Sequence, residues 1–416
     1  MSTSVTQLAI WTCLSLVVFH YFGYPLLLFV FCAFCRAKSD FLYLVRRRDR
    51  RCRFQSDVAP RVAVLMSAYN EEVVIQAKVK NLLEMDYPRD RPEFLLGLDA
   101  CIDSTQKLLG QTQSRQLRVF PFETRRGKLA VLCDLAGRTS AEILVFTDAN
   151  TILDKNCIGN LVRHFADPRV GAVSGEEVRV VSPGSDPGGE SLYWRYESAL
   201  KILESRLNCS LGGNGSALAV RSSLFRPRKQ SIVEDFQIPL EIRFRGYRVV
   251  YDPEAVAVEE IAPTFSAQFA RRVRIAAGNF QTLFANPRCF DPTKGLVTFC
   301  FMAHRVLRWF VPVLLIAAFG CTILLAGHPG YAALLAAQSG FYLMAGFGYW
   351  LKKSGKPTHL FSLPLAFCSM NFALLAGLLR YLNRRQTLAW NPTLRQMRPE
   401  MLLDQGPDGR RNHELA

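Results

Sequence analysis

Three kinds of hydrophobic pattern follow one another along the chain. Residues 7–34 (QLAIWTCLSLVVFHYFGYPLLLFVFCAF) contain no Asp, Glu, Lys or Arg. A helix rises about 1.5 Å per residue, so roughly 20 apolar residues cross a hydrocarbon layer and this run is long enough. It has no basic leader and no small-residue cleavage site follows it, so it reads as a retained anchor rather than a signal peptide. Three more apolar runs, 309–326, 331–350 and 359–382, predict three further spans. Trp309 opens the first and Trp350 closes the second, where amphipathic rings favour the membrane interface.

Between about 58 and 260 the apolar runs shorten. RVAVLMSAYN, FLLGLD, EILVFTDAN and VGAVSGE each predict a strand that ends in a polar turn. EEVVIQAKVKNLL after the first and GKLAVLCDLAG before the third carry a helical pattern. Strands alternating with helices predict an α/β fold, a largely parallel sheet with helices on both faces. Ligands of such sheets bind beyond the carboxyl ends of the strands. Tyr69, Asn70, Asp99, Asp148 and Asn150 all fall at such ends.

The third pattern lies in 262–285, where Phe265, Phe269, Val273, Ala276, Phe280 and Leu283 recur at spacings of four and three. At about 100° per residue they form one apolar stripe, with Arg271 and Arg274 on the other side. This predicts a helix lying in the membrane surface with its arginines toward the cytosol; the alternative is packing on the soluble domain. The chain therefore divides into an anchor (1–35), a basic cytosolic linker (36–57), an α/β domain (58–260), amphipathic interface helices (261–308), transmembrane helices (309–382) and a polar tail (383–416).

Charge refines the picture. The formal net charge of +16 has its densest block in RRRDRRCR, 46–53, just after the first apolar run. Cations in that position are retained on the cytoplasmic side and attract anionic lipid, so the α/β domain is expected on the cytosolic side of the membrane. No basic module interleaved with aromatic residues is present, which excludes nucleic acid as the partner. Three C-terminal crossings would leave the tail outside, whereas Arg380, Arg384, Arg385, Arg395 and Arg398 favour the inside. The twelve cysteines show no paired metal spacing, and Cys32 and Cys35 at the end of a span read as small apolar filling.

Candidate chemistry sits at the strand ends. Asp148 and Asn150 are two oxygen donors one residue apart, a spacing that can grip Mg²⁺ or Mn²⁺ while leaving room for phosphate oxygens; an Asx-turn uses the same residues. Glu234 and Asp235 open a helix expected to end at Gly246, where a carboxylate serves either as an N-cap or as a general base. GGNGSAL, 212–218, lets backbone approach a sugar or diphosphate at Gly213 and Gly215, or makes a surface turn. Lys128 at a helix start suits a phosphate contact, or solvent.

Taken in order, SAYNEE (67–72), LDACIDST (98–105), RRGK (125–128), TDAN (147–150), YWRYE (193–197), GGNGSAL (212–218), VEDFQIPL (233–240) and RRVRI (271–275) resemble the inverting family-2 glycosyltransferases over about 60–285. Membrane segments flank that stretch, as in the synthases of poly-N-acetylglucosamine, hyaluronan, chitin oligomers and cellulose. The resemblance implies a GT-A fold, a UDP-sugar donor and a polysaccharide or lipid-linked acceptor. It implies that Tyr69, Asn70, Glu71 and Asp99 hold the nucleoside and that Lys128 lies near the nucleotide. Asp148, with Asn150, would bind the metal, and Asp235 would deprotonate the acceptor. Gly213, Gly215, Glu234, Arg271 and Arg274 would line the acceptor or diphosphate.

Two positions depart from the family pattern. Asn150 stands where a second aspartate is usual, and Ile275 stands where processive synthases carry Trp. Tyr193 or Trp194 could supply the missing aromatic surface. A single-addition transferase on a lipid-linked acceptor is therefore the runner-up to a polysaccharide synthase, and a catalytically silent nucleotide-sugar scaffold is third. A transporter is disfavoured, because the apolar runs contain few ionisable residues.

Overall fold

The computed structural model describes residues 3–46, 59–88, 90–112, 114–180, 190–226, 232–261 and 264–384. Most of the basic block, 47–53, and the tail arginines Arg385, Arg395 and Arg398 lie outside the described residues. The chain forms two compact units, each assembled from separate stretches. Elements are numbered along the chain.

The α/β unit holds one eight-stranded sheet: β1 (Val62–Ala68), β2 (Pro92–Asp99), β3 (Leu117–Phe122), β4 (Ile143–Phe146), β5 (Thr151–Leu153), β6 (Val170–Val180), β7 (Leu218–Arg221) and β8 (Arg248–Glu260). Their spatial order is β3-β2-β1-β4-β7-β6-β8-β5. β1 pairs in parallel with β2 and β4, and β2 with β3. β7 is antiparallel to both β4 and β6, and β5 is antiparallel to β8.

The sheet is thus mixed rather than largely parallel. Parallel neighbours need long crossovers, and these are supplied between β1 and β4 by α3 (Ile75–Leu83), α4 (Thr105–Gly110) and α5 (Lys128–Ala136). Beyond β4 the polar turn at 147–150 sends the chain away from the parallel block, and β5 finds its partner in β8. The remaining helices of this unit are α6 (Cys157–Val162) and α8 (Glu234–Phe244).

All seven residues of β1 are buried, as expected of a strand covered on both faces. Val62, Val64 and Met66 pack with Ile75, Val79 and Leu82 of α3. Ala63 and Leu65, one residue out of phase, pack with Val131, Leu132 and Leu135 of α5 and with Ile238 of α8. Each such aliphatic side chain contributes about 1.5–3 kcal/mol on burial. The two cores hold the carboxyl ends of the central strands in fixed register, and those ends carry the polar turns.

The helical unit contains α1 (Thr3–Val18), α2 (Tyr24–Arg46), α7 (Glu190–Arg206), α9 (Phe265–Ala285, from Phe269 onward), α10 (Leu296–Cys300), α11 (Leu307–Leu324), α12 (Pro329–Lys353) and α13 (Ser362–Leu382). The π-helical segments Phe19–Gly23 and Phe301–Val306 join α1 to α2 and α10 to α11. Three helices among the described residues are long and apolar enough to cross a membrane: Thr3–Lys38, Leu296–Leu324 and Ser362–Leu382. α12, which covers the predicted run 331–350, is not among these three; Gln338 and Ser339 interrupt its apolar stretch.

On α9, Phe269, Ala276 and Phe280 of the apolar stripe meet other helices of the unit. Phe269 stacks on Phe372 at 5.7 Å, and Phe280 lies 5.9 Å from Trp309 and 5.8 Å from Phe310. A Cβ on Gly377 would come within 2.4 Å of the Ala276 Cβ, so small residues on both helices let α9 and α13 approach. The partner of the stripe is the unit's own α11 and α13.

A buried ionic cluster crosses this unit. Glu197 of α7 accepts from Tyr193 at 2.7 Å and from Arg308 at 2.5 Å, while Arg305 lies 3.9 Å away. Glu204 accepts from Tyr24 at 2.7 Å and from His304 Nδ1 at 2.6 Å. Burial alone would raise the Glu197 carboxyl; Arg308 and His304 outweigh it and hold the group well below its usual range. The second of these long apolar helices therefore carries three ionisable residues that the apolar run at 309 left out. Reading from the first uninterrupted apolar stretch cut the helix short at Arg308.

Candidate active site

Two loops are stitched together at the end of β1 and β2. Asn70, at φ +53°, accepts from the Ile102 backbone N–H through Oδ1 at 2.9 Å. The Glu71 N–H donates to Thr105 Oγ1 at 2.9 Å, and the Glu72 N–H to Asp103 Oδ2 at 3.1 Å. These bonds satisfy polar groups that leave the sheet with no ladder partner. Asp99, fully buried, accepts from the Arg126 N–H at 2.7 Å and the Gly127 N–H at 2.9 Å. It thereby shapes the RRGK turn, in which Gly127 adopts φ +86° and starts α5 at Lys128. The Arg125 guanidinium lies 3.7 Å from the centroid of the Tyr69 ring, a cation–π contact.

Lys128 joins two further elements. Its Nζ lies 2.5 Å from Asp148 Oδ1, at the end of β4, and 2.5 Å from Glu234 Oε1, in the first turn of α8. The three side chains are 20%, 26% and 12% exposed, so solvent or a ligand reaches them. Burial would lower the ammonium pKa, but Asp148 and Glu234 outweigh it and raise it.

The turn that carries Asp148 is held from beneath. Thr151 donates its Oγ1 hydrogen to the Asp148 carbonyl at 3.0 Å. Lys78 of α3, fully buried, donates to Thr147 Oγ1 at 2.9 Å and to the Thr151 carbonyl at 2.7 Å. Burial pushes its ammonium down to about 7, with Asp148 acting in the opposite sense. One turn later, Asn81 brackets the Leu153 backbone through both its amide atoms, at 2.8 and 2.9 Å. Asn150 donates its side-chain amide to Glu259 Oε1 across the β5–β8 pair at 2.7 Å.

Asp235 stands next to Glu234 in the first turn of α8, whose N-cap position is Val233, with no side-chain cap bond. Burial and then the Glu234 charge push its carboxyl up to about 6, partly offset by Lys128. The Gly213 N–H donates to the Asp235 carbonyl at 3.0 Å. A Cβ at Gly215 would sit 3.4 Å from Lys128 Nζ and 3.6 Å from Asp235 Oδ2, so this loop lays bare backbone beside the charges. Among the described residues, no three His, Cys, Asp or Glu side chains converge as a metal set.

The sequence-predicted residues thus fall into three groups. Lys128, Asp148, Gly213, Gly215, Glu234 and Asp235 converge. Tyr69, Asn70, Glu71 and Asp99 form the neighbouring stitched loops of the same unit. Arg271 and Arg274 belong to the helical unit, half-buried on α9, as is Ile275. Tyr193, considered above as an aromatic surface, is engaged with Glu197 in that unit. Sequence reasoning missed Lys78 and Asn81. Their signal was a pair of polar residues, three apart, on the apolar face of α3.

A model of the family described as "Glycosyl transferase family group 2" matches residues 143–394, more than half of the chain. The chain belongs to this family. The poly-β-1,6-N-acetyl-D-glucosamine synthase of Staphylococcus aureus (strain COL) is 24% identical over 267 residues, covering 61% of this chain and 63% of that protein. The β-monoglucosyldiacylglycerol synthase of Synechocystis sp. is 26% identical over 281 residues, covering 62% of this chain and 57% of the relative. The chain therefore aligns with less than two thirds of the length of these relatives.

Among solved structures, the mannosyltransferase PcManGT from Pyrobaculum calidifontis, in complex with GDP-Man and Mn²⁺, superposes with a TM-score of 0.64 at 25% identity. The match covers 91% of this chain and 100% of that one. The protein is a glycosyltransferase with a GT-A domain, related to polysaccharide and glycolipid synthases.

Proposed function

We propose that this glycosyltransferase moves a sugar of GlcNAc or Glc type from a UDP-sugar to the hydroxyl of a growing β-linked polysaccharide, with inversion, at a bacterial inner membrane. The observation that carries the reading is Asp235. Its carboxyl is pushed up to about 6 and stands beside the Lys128–Asp148–Glu234 cluster. A base with a pKa near the working pH is well matched to proton abstraction.

In the reaction, Asp235 takes the proton of the acceptor hydroxyl as that oxygen bonds to the anomeric carbon. The bond from the anomeric carbon to the diphosphate oxygen breaks on the opposite face. One displacement turns an α-linked donor into a β-linked product, with no covalent sugar–enzyme intermediate. Lys128 offers a cation to the diphosphate, and the family resemblance adds Arg271 and Arg274 to that role. The stitched loops at Tyr69–Glu71 and Asp99 hold the nucleoside.

A divalent ion, Mg²⁺ or Mn²⁺, suits Asp148, because the Asp148 and Glu234 carboxylates already converge on one positive charge. When bound, such an ion supplies Lewis-acid stabilisation of the leaving diphosphate. Asn150 would contribute only a neutral amide oxygen. The apolar helices fit a polymer acceptor that leaves through or along a bilayer. Counted as three crossings, they return the C-terminal tail to the cytosolic side, in keeping with its arginines.

A second reading is favoured by Ile275 and by the glycolipid synthase among the relatives: one sugar added to a lipid-linked acceptor. Product size separates the two. The protein reconstituted in lipid would be offered labelled UDP-GlcNAc and UDP-Glc separately with Mn²⁺, and the products sized. A high-molecular-weight smear absent from Asp235→Asn is expected. A single lipid-extractable species would replace the polymer with the glycolipid, and no transfer from any donor would sink both.

A further inference from the structure

Lys128 occupies the one point where two carboxylates of the site converge. A divalent ion bound to Asp148 needs that same space, since hard cations sit about 2.0–2.6 Å from their oxygen ligands. An ammonium bonded to the same oxygens opposes it by charge and by contact.

We propose that Lys128 is a resident counter-cation that keeps the donor-free site closed to a bare metal ion. It releases Asp148 only when metal and diphosphate arrive together. This rests on the reading of Asp148 as the metal ligand given above.

Three observations carry it. Lys128 bridges Asp148 Oδ1 and Glu234 Oε1 at 2.5 Å each, and so offsets part of their combined charge in the absence of ligand. Its side chain is flexible and 20% exposed, unlike Lys78 on the other side of the turn, which is fully buried and fixed by two hydrogen bonds. Beside the ammonium lies Gly215, where a Cβ would fall 3.4 Å from Nζ. The missing side chain leaves the lysine room to leave its carboxylates.

The charge balance sets the order of events. Lys128 pairs with Asp148 and Glu234 and acts on Asp235 beside them, so moving that lysine away leaves negative charge less well compensated. A divalent ion compensates for the loss, and the diphosphate offers the displaced ammonium a new partner. Metal and nucleotide therefore bind cooperatively, each weakly alone.

The test is Mn²⁺ binding by titration calorimetry on the full chain in nanodiscs, with no donor, with UDP and, separately, with GDP. Wild type is expected to bind bare Mn²⁺ weakly and to gain about ten-fold or more with the matching nucleotide, within the usual range of coupling between sites. Lys128→Met is expected to bind bare Mn²⁺ about ten-fold tighter than wild type and to lose most of the coupling. Lys128→Arg, which keeps the cation, should stay weak, and Asp148→Asn added to Lys128→Met should abolish the gain. If Lys128→Met needs metal to fold, a larger thermal stabilisation by Mn²⁺ than in wild type reports the same gain. Unchanged or weaker bare-metal binding in Lys128→Met, with nucleotide-dependent binding intact in wild type, overturns the lysine proposal and leaves the metal reading standing. No Mn²⁺ binding by wild type with either nucleotide overturns the metal reading itself.

Discussion

Two ionic clusters, one in each unit, use the same chemistry to opposite ends. In the helical unit, Glu197 and Glu204 face Arg305, Arg308, His304 and two tyrosine hydroxyls, and both carboxylates are nearly inaccessible. Each carboxylate there is paired with a basic side chain of the same unit. In the α/β unit, Asp148, Glu234 and Asp235 gather around Lys128, and the charged groups remain partly exposed. Burial with close pairing of opposite charges makes a brace. Partial exposure leaves the second cluster open to a ligand.

The largest expected effect would come from breaking the brace. Glu197→Gln strands Arg308 in an apolar setting, and loss of one partner of a buried pair costs about 3–5 kcal/mol. A steep fall in thermal unfolding temperature in detergent is expected, with Glu197→Met plus Arg308→Met recovering most of it. Full stability with lost transfer would instead put the helical cluster on the functional side of the comparison.

Next is Lys78→Met, which removes the support beneath Asp148 and leaves Thr147 Oγ1 and the Thr151 carbonyl without their buried donor. An unfolding cost of about 1–3 kcal/mol is expected, and misplacement of Asp148 should lower kcat/KM by about a hundred-fold. Thr147→Val added to Lys78→Met should restore part of the stability but not the rate. Recovery of both together would mean that the lysine only fills the core.

The pH dependence sharpens the comparison further. With the Asp235 carboxyl pushed up to about 6, kcat/KM should fall on the acid side with an inflection near that pH. The folded state then binds the proton more tightly than the unfolded one, so ionised Asp235 lowers stability at high pH. Asp235→Asn should therefore be more stable than wild type above pH 6, with the gain vanishing toward about pH 4, the unfolded carboxylate range. An acid limb near pH 4 with no such gain would remove Asp235 from the role of tuned base.

The smallest effect belongs to Gly215→Ala. The added methyl makes ordinary contacts with Lys128 and Asp235, so stability should change by no more than about 0.5 kcal/mol. Nucleotide affinity measured by calorimetry with Mn²⁺ should fall a few-fold, because the lysine loses room to move. No change in affinity would mean that the space beside Nζ is incidental.

Much of the candidate site was legible because it lies at ends of buried strands. ILVF delivers Asp148, LLGLD delivers Asp99, and VEDF begins a helix; in each case an abrupt change from apolar to charged marked the residue. Lys78 was hidden for the converse reason. A lysine within an amphipathic helix reads as solvated, and only the fold reveals that it points into the sheet beneath β4. The brace was hidden twice over. Its arginines lie just before the apolar run that marked a span, and its glutamates sit in a helix whose motif reads as part of the α/β domain.

By itself the sequence determined the alternation of strands and helices, the long apolar N-terminal helix, and the polar residues at strand ends. Those properties follow from local periodicity and from the cost of burying charge. Only the tertiary structure decided which charges meet. Glu197 and Arg308 stand 111 positions apart, and Lys128 finds Asp148 and Glu234 from three different elements. Ion pairing at such separations depends on how packed elements place side chains in space, and sequence spacing carries no record of it.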